Sequence, residues 1–478
     1  MGVSDRVRRL VPNNRFAHNV AVLAGGTGGA QLLMIMAAPL LTRLYSPEDF
    51  GLLAVFSGLL GVCSVVASLS YELAIPLPES EGEATHIAIL SLLAVLCTSA
   101  LTLSIVLCFG SNLAGLLDVP ALDQYFWLLP VGMMFAGVYK VFNYVGIRAK
   151  RFPLIARTLI WQKVSTLLIQ VAGFKFGGGA LLFGNTLGRG MGSVSLGRVA
   201  FRQARNVHWS WRGVRDSAVR YREFPIYSTW SGLFNAAGQQ LPPLMFATFF
   251  GVGAAGLYAL AQRVLALPMA VVGKAIGDVF FADAAQAYRE DSLGSLVHRT
   301  HTILSQIGMP PALVLMIVAP QIFALVFGPE WAEAGEFARW MAPWLYMVFV
   351  TSPLSNLFSV MNKQRQGLVF QSLLFLSRIC AIAAGAWYGN LLAAVILFAS
   401  ASAICRIGLL VWFSQLAGND AVMVFTTFAR ALAVSIICVA PLYIGSHFEL
   451  SSRLYILAAA TTMVLIGANY LRLLRHAY

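Results

Sequence analysis

Apolar residues occupy this chain in long blocks separated by short polar breaks, and within a block they do not alternate in the two-residue rhythm of a half-buried strand. A block of about 20 apolar residues can cross the hydrocarbon of a bilayer as a helix, which satisfies its own backbone there. The pattern predicts about 14 spans, over residues 17–44, 51–77, 85–109, 123–146, 157–175, 178–200, 224–250, 254–281, 300–327, 335–361, 366–388, 390–416, 427–446 and 453–473. Turn residues mark the breaks: Ser46-Pro47-Glu48-Asp49, Pro78-Glu79-Ser80-Glu81-Gly82, Gly328-Pro329-Glu330 and Gly418-Asn419-Asp420. The expected organisation is an N-terminal lobe of six spans (1–200), a basic cytoplasmic amphipathic linker (201–223), a C-terminal lobe of six spans (224–416) and an additional helix pair (417–478).

Composition narrows the class. Of the 478 residues, 58% are hydrophobic and 11% charged, against roughly 25% charged in a soluble domain. A soluble enzyme, a disordered scaffold and a disulfide-rich secreted module are excluded, and an all-α polytopic membrane protein remains. The six cysteines (Cys63, Cys97, Cys108, Cys380, Cys405, Cys438) lie in apolar runs without Cys-x-x-Cys spacing and read as small buried hydrophobes. The first apolar stretch is too long for a signal h-region of roughly 7 to 15 residues, so it is expected to be a retained first helix.

Charge sets orientation. There are 33 Lys and Arg against 20 Asp and Glu, a formal net charge of +13. With a cytoplasmic amino terminus, 22 of the cations fall in cytoplasmic segments and at most four on the opposite side, which places both termini in the cytoplasm. The linker carries Arg202, Arg205, Arg212, Arg215, Arg220 and Arg222 with Trp209 and Trp211 among them. That mixture suits an interfacial segment on the anionic inner leaflet, a nearer polyanion than nucleic acid, so membrane lipids and no nucleic acid are the expected partners.

The halves share a weak repeat. Phe16 pairs with Phe224, and Thr27-Gly28-Gly29-Ala30-Gln31 with Asn235-Ala236-Ala237-Gly238-Gln239, at an offset of 208; Phe50-Gly51-Leu52 then pairs with Ala255-Gly256-Leu257 at 205. Six intervening helices keep the copies parallel, the arrangement of alternating-access transporters with an axis along the membrane normal. Glu72 and Asp278 occupy matching places in spans two and eight, and are candidates for coupling to an ion. Thr27 and Gln31, like Asn235 and Gln239, are four apart on one helix face and are expected to line a shared polar cavity.

Seven cations remain inside the spans: Lys140, Lys163, Arg189, Arg263, Lys274, Arg378 and Arg406, opposed by Glu72 and Asp278 with Asp283 at a boundary. A charge at the centre of an isolated spanning helix costs about 2.5–3.5 kcal/mol or more, so such groups face a cavity or one another. Arg189, Arg263 and Arg378 lie deepest and are the main candidates for substrate binding. Lys140, Lys163, Lys274 and Arg406 lie in the cytoplasmic half, where long cationic side chains reach back to the headgroups. Lys163 is nevertheless included, because Gln162, Thr166 and Gln170 put a polar face on the same helix, and Gln170 joins the expected lining. A cationic surplus in a wet cavity suits an anionic substrate, and guanidinium suits phosphate.

Other signals are weak. Gly25-Gly26-Thr27-Gly28-Gly29 and the glycines at 184, 188, 190 and 192 lack a phosphate-loop ending and read as helix packing or a pivot. His298 and His301 have no companion ligand, so no metal is expected. The outward loops are short and their acids scattered, with Glu48 and Asp49 suited to capping the helix that follows, which argues against an enzyme.

The segment Leu41-Thr42-Arg43-Leu44-Tyr45-Ser46-Pro47-Glu48-Asp49-Phe50-Gly51, followed by Leu69-Ser70-Tyr71-Glu72-Leu73-Ala74-Ile75-Pro76-Leu77-Pro78, resembles the bacterial polysaccharide-biosynthesis, lipid-linked oligosaccharide flippases of the multidrug/oligosaccharidyl-lipid/polysaccharide exporter superfamily. The resemblance implies two six-helix lobes in a V shape in the bacterial inner membrane. It also implies transfer of an oligosaccharide on undecaprenyl diphosphate between leaflets and a polysaccharide polymerase machinery as partner. No cofactor is expected; a proton or sodium gradient is expected to drive the cycle. Many relatives have twelve spans, and the final pair here is expected to match the related peptidoglycan-precursor flippases, with a groove for the lipid tail. The alternatives are a multidrug-type antiporter of the same fold, distinguished by the sign of its cavity, and a membrane polymerase or ligase, distinguished by new glycosidic bonds.

Overall fold

The computed structural model describes residues 15–205, 207, 209–266, 274–361, 363–447 and 452–477, and among them there are helices and turns but no strand. The first half contains α1 (Arg15–Met36), α2 (Ala38–Leu44), α3 (Pro47–Val66), α4 (Glu81–Leu116), α5 (Leu128–Arg148), α6 (Phe152–Ala172), α7 (Gly178–Gly190), α8 (Ser193–Ala204), α9 (Trp211–Arg220) and α10 (Thr229–Phe250). The second contains α11 (Val252–Leu265), α12 (Lys274–Arg289), α13 (Leu293–Phe327), α14 (Ala332–Leu354), α15 (Leu357–Val360), α16 (Gln364–Trp387), α17 (Leu391–Leu416), α18 (Ala421–His447) and α19 (Ser452–Ala477). Every span expected from hydropathy falls on one or two of these helices. Eight of the described helices, α3, α4, α5, α13, α16, α17, α18 and α19, are both long and apolar enough to cross a membrane. The chain is a multi-pass membrane protein.

Hydropathy placed the spans but smoothed over their breaks. The span expected at 17–44 steps at Ala37, and the one at 178–200 is interrupted at Met191 and Gly192; α11 and α12 carry the described parts of the one at 254–281. The span expected at 51–77 is α-helical only to Val66, with a short 3-10 turn at Tyr71–Ala74. Where helices start, local chemistry explains it. Ser46 and Asp49 form a reciprocal capping box with Pro47 in the first turn of α3, the role expected of Asp49. Ser80 caps α4 through the Glu83 amide, and Asn390 caps α17 through the Ala393 amide.

Contacts divide the chain between Ala259 and Leu260, within α11. In the first unit α1 packs on α6, α6 on α7, and α3 on α5, α7 and α10. Small residues permit these approaches: a Cβ on Gly26 would fall 2.5 Å from the Ala156 Cβ, and one on Gly188 1.9 Å from the Thr166 hydroxyl. The intramembrane glycines at 184 and 188 are therefore packing residues. In the second unit α13 packs on α14 and α18, α17 on α14 and α16, and α19 on α18. Phe337, Met341, Phe398 and Phe413 have no exposed surface there.

Much apolar surface faces outward, as on α4 (Leu101, Leu107, Phe109) and α19 (Ile456, Met463, Val464). These are faces for lipid, which is as apolar as a protein core. The same equivalence corrects the cysteine reading: all six are free, but among them only Cys438 is buried, while Cys97, Cys108 and Cys380 are exposed on α4 and α16.

Candidate functional site

The chain leaves α3 through an irregular segment that carries the Leu69–Pro78 motif. Leu69 and Ser70 both adopt left-handed backbone, with φ of 51° and 57°, a conformation costly for a non-glycine residue. The following turn, Tyr71–Ala74, points Glu72 inward, where its side chain has no exposed surface. Lys140 of α5 places its Nζ 2.6 Å from Glu72 Oε1, and the Ser68 hydroxyl donates to Oε2 at 2.5 Å. Lys140 is thus held by a buried carboxylate, in place of the expected reach to the headgroups. Glu72 lies beyond the helix and not within it, because the left-handed pair stops α3 first.

The surrounding contacts hold this segment in place. The Thr229 hydroxyl, at the start of α10, donates to Ser70 Oγ at 3.1 Å, and the Tyr71 hydroxyl donates to Ala218 O of α9 at 3.4 Å. Arg148 donates to the carbonyls of Ile75, Pro78, Glu79 and Ser80 and so closes the loop into α4. On α9, Val214 and Ser217 are buried, while Trp211 and the preceding Trp209, 5.5 Å apart in edge contact, remain exposed. This helix is fastened to α4 by Arg220 Nη1 to Glu83 Oε1 at 2.9 Å and by the Tyr221 hydroxyl to the same oxygen at 3.1 Å. Burial and the bond to Glu83 push the Tyr221 phenol above its ordinary range.

Arg189 stands one residue before the end of α7, just ahead of the break at Gly192, where φ is 84°. Its Nε donates to Asn185 Oδ1 at 3.1 Å, and the Asn185 amide donates in turn to Ser57 Oγ on α3. Gln162 of α6 donates to the Arg189 carbonyl at 2.9 Å, which brings the α6 segment bearing half-buried Lys163 to the same level. A cation at the C-terminal end of a helix also meets the favourable end of its dipole.

The expected polar lining divides into two groups. Gln170 is only 2% exposed; its side-chain amide donates to Leu181 O at 3.1 Å, and its backbone carbonyl accepts from the Tyr45 hydroxyl. These bonds tie α6 to α7 and to the residue that follows α2, so this part of the polar face of α6 meets another helix's backbone. Gln31, Asn235 and Gln239 are exposed, and Gln239 donates to Asn235 at 3.2 Å. Half-buried Thr27 donates back to Leu23 O of its own helix.

Arg263 is half-buried near the end of α11. The side chains of Asp278 and Lys274 lie outside the described residues. In the second unit, Arg378 of α16 lies 5.3 Å from the Trp344 ring and 5.5 Å from the Phe398 ring, and its Nε donates to Ser402 Oγ at 3.1 Å. Arg406, one turn beyond Ser402 on α17, donates to Thr351 Oγ1 of α14 at 2.9 Å, so it turns into the bundle and not toward the headgroups. Its place in this cluster was missed from sequence, although the four-residue spacing from Ser402 was visible.

The family described as polysaccharide biosynthesis protein matches residues 40–336. The chain is 23% identical to the succinoglycan biosynthesis transport protein ExoT of Rhizobium meliloti (strain 1021) over 393 residues, covering 79% of this chain and 75% of that protein. Its fold is similar to that of the lipid II flippase MurJ in an inward closed conformation, with a TM-score of 0.76 at 11% identity over 95% of this chain and 99% of that one. It is similar also to an inward-facing multidrug resistance MATE family transporter of the MOP superfamily, with a TM-score of 0.60 at 15% identity over 83% of this chain and 94% of that one.

Proposed function

The chain belongs to the polysaccharide biosynthesis protein family, and from that premise we propose that it is a flippase for an oligosaccharide linked to undecaprenyl diphosphate. It acts as a transporter and not as an enzyme, in the bacterial inner membrane with both termini cytoplasmic, and delivers its cargo to a polysaccharide polymerase. The transport role of ExoT and the flippase fold of MurJ support this reading. The observation that carries it is the setting of Arg189: a guanidinium near the end of α7, within the span expected at 178–200, whose hydrogen-bonding partner Asn185 is neutral and orients the charge without cancelling it. Such a group is suited to a diphosphate arriving from outside the protein.

Arg189 and Lys163 of the first unit are the cations proposed to meet the diphosphate; Arg263, in the second unit, remains a candidate for binding an anionic substrate. The exposed polar groups Gln31, Asn235 and Gln239 are proposed to meet the sugars. Arg378, held against Trp344 and Phe398 in the second unit, is proposed as a further cation for an anionic substrate. Transport proceeds by alternating exposure of this polar path to the two leaflets, driven by a proton or sodium gradient in which Glu72 and Asp278 remain the coupling candidates. The test is flipping of fluorescent undecaprenyl-diphosphate oligosaccharide in vesicles. The Arg189→Gln, Lys163→Gln double variant is expected to reconstitute normally and to flip at least about tenfold more slowly, the effect of losing charge-assisted hydrogen bonds. Wild-type rates in that variant would refute the role of these cations.

A further inference from the structure

The helix α9 is fastened along one side and exposed along the other. Val214 and Ser217 are buried, and half-buried Ala218 and Tyr221 follow them on the same side. Three contacts fix that side: the Ser210 amide donates to His86 Nε2 at 3.2 Å, Arg220 pairs with Glu83 at 2.9 Å, and Ala218 O accepts from the Tyr71 hydroxyl at 3.4 Å. Glu83 and His86 stand in the first two turns of α4, which has 36 residues. At about 1.5 Å per residue such a helix outruns a hydrocarbon core of about 30 Å, so α9 is held at the level of the headgroups.

The open side mixes rings, aliphatic surface and cations. Trp211, Arg215 and Val219 recur every four residues and form one exposed stripe, with exposed Arg212 beside it, Trp209 ahead of it and Arg222 just past its end. Between residues 201 and 223, six arginines stand against two acids, Asp216 and Glu223. Arg220 is committed to Glu83, whereas among the described residues Arg202, Arg205, Arg212, Arg215 and Arg222 have no carboxylate within ion-pair distance. Exposed tryptophans among cations match a membrane boundary, where the rings enter the apolar edge and the cations meet lipid phosphates. The same turns of α4 border a cleft of about 90 Å³ between α4, α5 and α8, walled by Ala88, Leu92, Phe142, Val145 and Phe201 with the Arg148–Glu81 pair among them. Arg202 follows Phe201 on α8. Apolar walls next to cations suit a lipid, which brings hydrocarbon and phosphate together, better than a nucleic acid.

We propose that the open side of α9, with Trp209 ahead of it, is a docking surface for anionic phospholipid headgroups, and that this contact steadies the Glu72-bearing segment, to which α9 is bonded through Tyr71. The inference stands apart from the transport reading: it would hold whatever the cargo is.

Hydrogen exchange of the purified full-length protein tests it, in nanodiscs of phosphatidylcholine alone and of phosphatidylcholine mixed with phosphatidylglycerol. In the wild type the amides of residues 211–220 are expected to exchange at least about tenfold more slowly with phosphatidylglycerol present, well within what three cations near an anionic surface supply. Those of residues 69–75 are expected to slow with them. The triple variant Arg212→Gln, Arg215→Gln, Arg222→Gln is expected to lose both differences while exchanging like the wild type in phosphatidylcholine alone, the sign of an intact fold. Lysine at the same three positions, which keeps the charge, is expected to retain them. Equal exchange of the wild type in the two membranes would overturn the proposal, as would a difference undiminished in the Gln variant. Slowing confined to residues 211–220 would overturn the link to the Glu72 segment. Protection of residues 211–220 by single-stranded RNA, with none from phosphatidylglycerol, would assign the surface to nucleic acid and overturn the proposal too.

Discussion

Glu72 illustrates how one side chain's setting decides its consequences. A fully buried carboxylate is tolerable because Lys140 and Ser68 hold its two oxygens, and removing one partner of a buried ion pair leaves an uncompensated charge worth about 3–5 kcal/mol. Lys140→Met is therefore expected to be strongly destabilised and Glu72→Gln less so, since Lys140 is about a third exposed and regains water. The double variant should recover most of the loss in a detergent thermal-melt assay; equal melting of Lys140→Met and wild type would show that the pair contributes nothing. If the recovered double variant folds but no longer responds to an imposed ion gradient, Glu72 serves coupling as well as structure. Both residues were visible in the sequence as charges within or beside spans. Their pairing was not, because they are 68 positions apart and hydropathy assigned Glu72 to a helix that in fact ends at Val66. Gln170 failed for a different reason: a polar stripe at helical spacing looks the same whether it faces water or, as here, the Leu181 carbonyl of a neighbouring helix.

The helices themselves were the most legible features, since an apolar stretch of spanning length carries the same signal on any side of the bundle. Their interruptions were harder to read. Gly192 supplied a left-handed break in plain sight, whereas Leu69 and Ser70 take the same conformation without a glycine to announce it. Two glycines aligned in the sequence repeat also meet in the structure. The paired glycines Gly51 and Gly256 lie at one close crossing of α3 and α11: a Cβ on Gly51 would fall 1.7 Å from Val252 O, and one on Gly256 would fall 1.9 Å from Pro47 O. Backbone cannot yield as a side-chain tip does, so Gly51→Ala and Gly256→Ala are each expected to destabilise by about 1–3 kcal/mol or more. Gly28→Ala, with no heavy atom within 4 Å of the added carbon, should be neutral or stabilising through helix propensity. Thermal melting of the three variants checks this; comparable stability of Gly51→Ala and Gly28→Ala would contradict the close crossing.

At the scale of the whole molecule, a net charge of +13 separates into cations in the loops expected from hydropathy and a few in the expected spans. The structure divides the latter further by their partners: Lys140 by a carboxylate, Arg189 by an amide, Arg378 by a hydroxyl and two rings. Membership of the polysaccharide biosynthesis protein family and the likeness to flippase and exporter folds give these charges a context. The anionic, lipid-linked cargo moved between leaflets is the proposal that family membership and these charges motivate. The most direct test depletes the protein from its host and follows the lipid-linked saccharides on each face of the inner membrane. The account predicts that a complete undecaprenyl-diphosphate oligosaccharide accumulates on the cytoplasmic leaflet while its polymer disappears. Continued polymer formation without such accumulation would contradict it.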